Sequence, residues 1–147
     1  MRKIVFELAG LDVDDEVPEL GQTVGDALLT PTHLYTDTTA AALAAGGEAV
    51  TGIAHITGGG LVDNVERLLP AGCRADIDRA AWQPPNVFTW LQRLGDVETE
   101  EMFRVFNMGI GLVLIVRPEG VRRVAEALAK SDPGVRPIGA VVEHGAG

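Results

Sequence analysis

The amino-acid sequence predicts an α+β domain, a mixed β-sheet with helices packed on it. Three observations lead there. Apolar stretches of strand length alternate with segments of helical periodicity along the chain. Several connections between candidate strands are too short for right-handed parallel crossovers, which take a dozen residues or more, so a purely parallel sheet is disfavoured. The 147 residues are 46% apolar and 22% charged, the balance of a soluble globular chain with a real core. A single domain over residues 1–147 is expected.

The elements follow in order. Residues 2–9 (RKIVFELA) read as the tail of a helix with Ile4, Val5 and Leu8 on one side. A basic pair directly after Met1 supplies no helix-start signal, so the helix reads as one that begins further upstream. Residues 10–26 are acidic and punctuated by Gly and Pro, and read as a mobile acidic loop with a short turn. Thr30-Pro31-Thr32 marks a turn before an Ala-rich helix from Thr36 to Ala45. Gly46-Gly47 ends that helix through the left-handed conformation open to glycine.

Residues 50–56 (VTGIAHI) are expected as a buried strand. Three glycines then lead into a helix from Leu61 to Leu69, whose Leu61, Val65, Leu68 and Leu69 fall on one stripe. Residues 73–77 form a short strand. Residues 85–94 form a helix with Val87, Phe88, Leu91 and Leu94 on one side, stopped by Gly95, and residues 98–106 form another. Residues 111–116 (GLVLIV) are the most apolar strand and are expected at the centre of the sheet. Pro118 opens a helix striped with Val121, Val124, Ala125 and Leu128. Residues 135–142 make a last strand before a Gly-Ala-Gly tail expected to fray.

Charge and cysteine usage narrow the function. The formal net charge is −9, and seven acids lie between Glu7 and Asp26 with no Lys or Arg among them. Such a surface repels a phosphodiester backbone, so nucleic acid is not the expected partner. A local nest of N–H groups can still hold a phosphorylated metabolite. The single cysteine, Cys73, excludes an intrachain disulfide and a Cys-based metal cluster. No metal site is expected, and a reducing cytoplasm is the simplest home. No apolar run approaches the roughly 20 residues of a membrane span. The charged opening lacks a signal-peptide h-region.

The stretch Ala54 to Arg67 (AHITGGGLVDNVER) carries the most chemistry. A strand runs into Thr57, Gly58, Gly59 and Gly60 and then a helix start, where unpaired N–H groups and the positive end of the helix dipole suit an anion. Asn64 and Arg67, three residues apart on that helix, can each add a hydrogen bond. A glycine turn needed only for packing explains the same pattern, and the GK[ST] of a P-loop and the GxGxxG of a dinucleotide fold are both absent. His55, at the strand end, can bind substrate or move a proton near neutral pH, or can be a half-buried imidazole satisfied by backbone. His33 and His144 read as surface residues. Asn107, in Phe106-Asn107-Met108-Gly109-Ile110-Gly111, can fix a ligand amide or cap a helix before a bulge. Trp82-Gln83-Pro84-Pro85 reads as a rigid turn with an aromatic packing anchor.

Three of these segments, HITGGGLVDNVERLLP, IDRAAWQPPNVFTWLQRLGDV and TEEMFRVFNMGIG, stand in the order and spacing of phosphoribosylformylglycinamidine cyclo-ligases, also called AIR synthetases. TPTHLY is similar to that family's TPTRIY element, and RKIVFE to the helix leading into the family's C-terminal half. The resemblance covers residues 2–142. TGGG by itself is shared with FGAM synthetase, selenophosphate synthetase and thiamine-monophosphate kinase, whereas WQPPNVFTWLQ and EMFRVFNMGIG resemble the cyclo-ligase in particular.

The resemblance implies an α/β/α-layered C-terminal domain separated from an N-terminal ATP-binding domain. It also implies ATP- and Mg²⁺-dependent closure of formylglycinamidine ribonucleotide to aminoimidazole ribonucleotide, with a phosphoribosyl substrate held at the cleft between the two halves. His55 is then the catalytic candidate. Thr57, Gly58, Gly59, Gly60, Asn64, Arg67 and Asn107 are the candidates for substrate and phosphate binding. His33 departs from the family, which has Arg there, a bidentate donor that neutral imidazole replaces poorly. The chain by itself is expected to be inactive and to hold neither ATP nor Mg²⁺ tightly. Two alternatives stay open: a non-enzymatic phosphate-binding or self-associating module that forms a homo-oligomer, and half of an FGAM synthetase.

Overall fold

Six short strands and six α-helices are interspersed along residues 1–144, which the computed structural model describes; the Gly-Ala-Gly tail lies outside them. The opening helical segment, Lys3–Leu8, is wound in the wide π form, and the Ala9 N–H donates to the Ile4 carbonyl at 3.0 Å. Its Val5 is fully buried.

Residues 10–26 are more structured than a loop with a turn. Glu16–Val17 (β1) pairs antiparallel with Gln22–Thr23 (β2), and Val24–Leu29 (α1) follows at once. Thr23 caps α1, its Oγ1 accepting the Asp26 N–H at 3.1 Å. Val17 and Val24 are buried among Trp90, Leu91 and Met102. Strands of two residues carry no readable period, so the sequence displays only the acids that face water.

The main strands pair in twos and antiparallel rather than in one mixed sheet. Val50–His55 (β3) pairs with Leu112–Val116 (β5), and Cys73–Ile77 (β4) pairs with Gly139–Glu143 (β6). The α+β class stands. The central position expected for β5 does not, because β5 has one strand partner among the described residues. Its continuous apolar run answers to two covered faces. Leu114 and Val116 pack toward Ala42 of Thr36–Gly46 (α2) and Val124 and Leu128 of Pro118–Leu128 (α6). Val113 and Ile115 pack toward Leu61 and Val65 of Gly60–Glu66 (α3). Alternate side chains on opposite faces are what a pleated strand between two helix layers requires.

A third cluster joins Asn86–Gly95 (α4) and Thr99–Val105 (α5) to the opening segment through Trp90, Leu91, Met102, Phe103 and Val5. Gly95 ends α4, yet its role is contact: a Cβ there would stand 3.0 Å from three Ile4 carbons. The left-handed residue is the next one, Asp96, at φ 46°. At the other end of the molecule the Arg123 guanidinium donates to the carbonyls of Ala45 and Gly46, the latter at 3.1 Å, closing the C-terminus of α2.

Candidate functional site

The C-terminal end of β3 and the N-terminal end of β5 lie side by side, with His55 opposite Leu112 and the Ile56 N–H donating to the Gly111 carbonyl at 2.9 Å. Two glycine-bearing turns therefore open at one end of the pair, Thr57–Gly60 leaving β3 and Asn107–Gly111 entering β5.

Backbone geometry separates the three glycines of the first turn. Gly59 (φ 94°) and Gly60 (φ 68°) both sit in the left-handed region. Gly60 is also buried against α5, where a Cβ would meet the carbonyl oxygens of Phe103 and Arg104 at 2.5 Å. Gly58 is exposed, has an ordinary φ, and has nothing within 4 Å of where its Cβ would stand. Packing and conformation thus explain Gly59 and Gly60, and neither explains Gly58. Thr57 is exposed, and its carbonyl accepts the Gly60 N–H at 3.3 Å. The N–H groups of Leu61 and Val62 in the first turn of α3 have no intrahelical acceptor.

Asn64 is 2% exposed. Its Nδ2 donates to the carbonyls of Gly60 (2.7 Å), Gly58 (3.2 Å) and Thr57 (3.4 Å), so the amide clamps the turn from inside. Its Oδ1 is buried without a partner among the described residues. Arg67 is not brought to the turn. It is exposed at the C-cap of α3, a full helix length from Gly60, while Asn64 faces inward.

In the second turn Asn107 Oδ1 accepts the Gly109 N–H at 3.1 Å and its carbonyl accepts the Ile110 N–H at 2.9 Å. Met108 (φ 50°) and Gly109 (φ 95°) are left-handed. The Trp82 indole N–H donates to the Met108 carbonyl at 2.9 Å, and a Cβ on Gly109 would strike Pro85 Cδ at 2.4 Å. Behind Trp82, Arg79 lies 4.3 Å from the Phe103 ring centroid and pairs with Glu100 through two hydrogen bonds, 2.5 and 2.9 Å. The WQPP and FNMGIG segments are therefore one packing unit that sets the turn into β5. That is why Asn107 is engaged locally.

His55 is exposed rather than half-buried. Its ring stands edge-on to Tyr35, centroids 5.8 Å apart, and Tyr35 stands edge-on to His33 at 4.8 Å. The Tyr35 phenol lies against Gly111, where a Cβ would stand 1.9 Å from its oxygen. Burial, and then the Asp132 carboxylate, raise the Tyr35 pKa. Sequence reading treats Tyr35 only as part of TPTHLY, although it joins the His55 end of β3 to the start of β5. Among the described residues no three His, Cys, Asp or Glu side chains come together as a metal site. No helix among them is long and apolar enough to cross a membrane.

Comparison with known proteins agrees with this architecture. Residues 4–147 match the family model described as AIR synthase related protein, C-terminal domain. The chain belongs to that family. It is 44% identical over 147 residues to a phosphoribosylformylglycinamidine cyclo-ligase of Thermoanaerobacter sp. (strain X514), covering 100% of this chain and 43% of that protein. It is 48% identical over 144 residues to the cyclo-ligase of Sorangium cellulosum (strain So ce56), covering 98% and 41%. With the cyclo-ligase of Exiguobacterium sibiricum the identity is 45% over 144 residues, covering 98% and 41%. The chain thus spans about two-fifths of the length of the curated relatives it matches.

Proposed function

We propose that this chain serves as the C-terminal domain of an ATP-dependent cyclo-ligase that closes formylglycinamidine ribonucleotide to aminoimidazole ribonucleotide in the cytoplasm. The observation that carries the reading is Gly58, exposed beside His55 and explained by neither packing nor backbone conformation. A bare backbone there lets an anion approach the Thr57–Gly59 amides and the first turn of α3. In this reading Thr57, Gly58 and Gly59 contact the ribose phosphate, Gly60 and Asn64 hold the turn's shape, and Asn107 positions the facing turn. Arg67, at the far end of α3, adds at most long-range charge. His55 faces the substrate and exchanges a proton or hydrogen bond with it.

ATP and Mg²⁺ are assigned to polypeptide outside these residues, and the chain by itself turns nothing over. Exposed Leu29 (81%), just before the TPTHLY segment, and Leu34 (83%), within it, suit contact with an N-terminal ATP-binding domain. Calorimetry with ribose 5-phosphate tests the anion site: wild type should release heat at millimolar ligand, and Gly58→Ala should abolish it with the melting temperature unchanged. Equal heat from both proteins, or none from either, would overturn the assignment. ADP release by the 147-residue chain given ATP, Mg²⁺ and substrate would overturn its inactivity.

A further inference from the structure

A cavity of about 810 Å³ separates β5 from the β4–β6 pair. Consecutive residues line it, Leu112–Val116 from β5 and Gly139–Val141 from β6. Side chains alternate across a strand, so an unbroken run can border one space only where the strand presents its edge. Val65 of α3 walls one side, and Val124 and Leu128 of α6 wall the other. The space is a slot, bounded laterally by strands and above and below by helices.

The hydrogen-bond register says which backbone groups look into it. Ile56 donates to the Gly111 carbonyl and Arg117 donates to the Ala49 carbonyl, so odd-numbered residues of β5 face β3. Alternation then turns the N–H and C=O groups of Leu112, Leu114 and Val116 toward the slot. An apolar strand with one row of backbone groups outside any strand pairing among the described residues, set between two helix layers, is an incomplete sheet, because buried amides and carbonyls need partners.

We propose that the slot receives a single extended strand, apolar on both faces, from cyclo-ligase polypeptide outside residues 1–147. That strand bonds to the open edge of β5, makes β5 a central strand and joins the two-stranded sheets. A five-residue strand is about 17 Å long, and β5 offers five residues to match it. The relatives run to more than twice the length of this chain, which supplies ample polypeptide. A second copy fits poorly: its own β5 edge is recessed between its own α3 and α6, so the helices of the two copies meet before the edges do. The inference does not rest on the reaction proposed above.

The probe is a peptide of five alternating valines and isoleucines between terminal lysines, added to the 147-residue chain. The control is the same peptide with alternate amides N-methylated. Amide exchange at Leu112, Leu114 and Val116 should slow about tenfold or more with the probe and remain unchanged with the control. Cys73, which borders the slot, should react more slowly with a maleimide when the probe is bound. No slowing at these three amides with millimolar probe would overturn the proposal. So would protection of the same amides without peptide, whether in a chain that sediments as a dimer or in a monomer.

Discussion

The Trp82 indole N–H meets the Met108 carbonyl at 2.9 Å, bridging two segments 26 residues apart. This bond ties the WQPP turn to the turn that opens β5, where Met108 is held left-handed and Gly109 lies under Pro85. Replacing Trp82 with Phe keeps much of the ring contact and strands the carbonyl. The expected loss is about 1 kcal/mol, read as a lower denaturation midpoint at unchanged slope. Amide exchange should quicken at Gly109 and Ile110 before it does in α4.

Gly58 and Gly60 should separate cleanly. Gly60→Ala forces a left-handed alanine against the Phe103 and Arg104 carbonyls, and about 2–4 kcal/mol of stability should go. Gly58→Ala meets open space and should cost about 0.5 kcal/mol or less. Urea titration of the two variants measures both, and equal losses would contradict the geometry.

Asn64 holds the turn through three carbonyls while its own Oδ1 is unpartnered among the described residues. Asn64→Ala should cost about 1–3 kcal/mol and should speed exchange at the Gly60 amide. Arg67→Ala, at an exposed C-cap, should leave both readings unchanged.

Tyr35 is the only tyrosine in the chain, so tyrosinate absorbance follows one group. Its pKa stands above the ordinary tyrosine value, through burial first and the Asp132 carboxylate second. A phenol whose folded pKa is raised stabilises the fold below its unfolded pKa and loses that contribution as pH rises through the folded value. Asp132→Asn should bring the titration midpoint down, and Tyr35→Phe should flatten the fall in melting temperature above pH 10.

The Arg79–Glu100 pair makes the opposite prediction at low pH. The Arg79 hydrogen bond, and then its charge, lower the Glu100 pKa below the ordinary carboxylate range. A carboxylate with a depressed folded pKa contributes stability above its unfolded pKa and loses it as pH falls through the folded one. Glu100→Gln should therefore remove part of the acid sensitivity of the melting temperature below about pH 4.5. Molar salt should shrink the difference, because the pair is exposed.

Much of this fold is written in local pattern. The 3.6-residue stripe Val121, Val124, Ala125, Leu128 places α6, and the unbroken LVLIV run places β5 between two covered faces. The same pattern misjudges β5 as central, because a run of apolar residues reports burial of faces and says nothing about pairing of edges. It misses β1 and β2 because two-residue strands have no period. At the site, the turn itself is legible as TGGG, whereas its division of labour is not. Gly60 is required by the carbonyls of Phe103 and Arg104, more than 40 residues away in sequence.

The sequence by itself determined the α+β class, the order of the elements from α2 onward, the family resemblance and the turn at which β3 meets α3. Tertiary structure decided that Asn64 faces inward as a clamp, that Arg67 stands apart, that His55 is exposed beside Tyr35, and that β5 keeps an open edge on a slot. The physical reason is range. Periodicity, caps and turn chemistry act over a few residues and are carried in the local string. Burial, edge pairing and the company of a side chain depend on segments that only folding brings together.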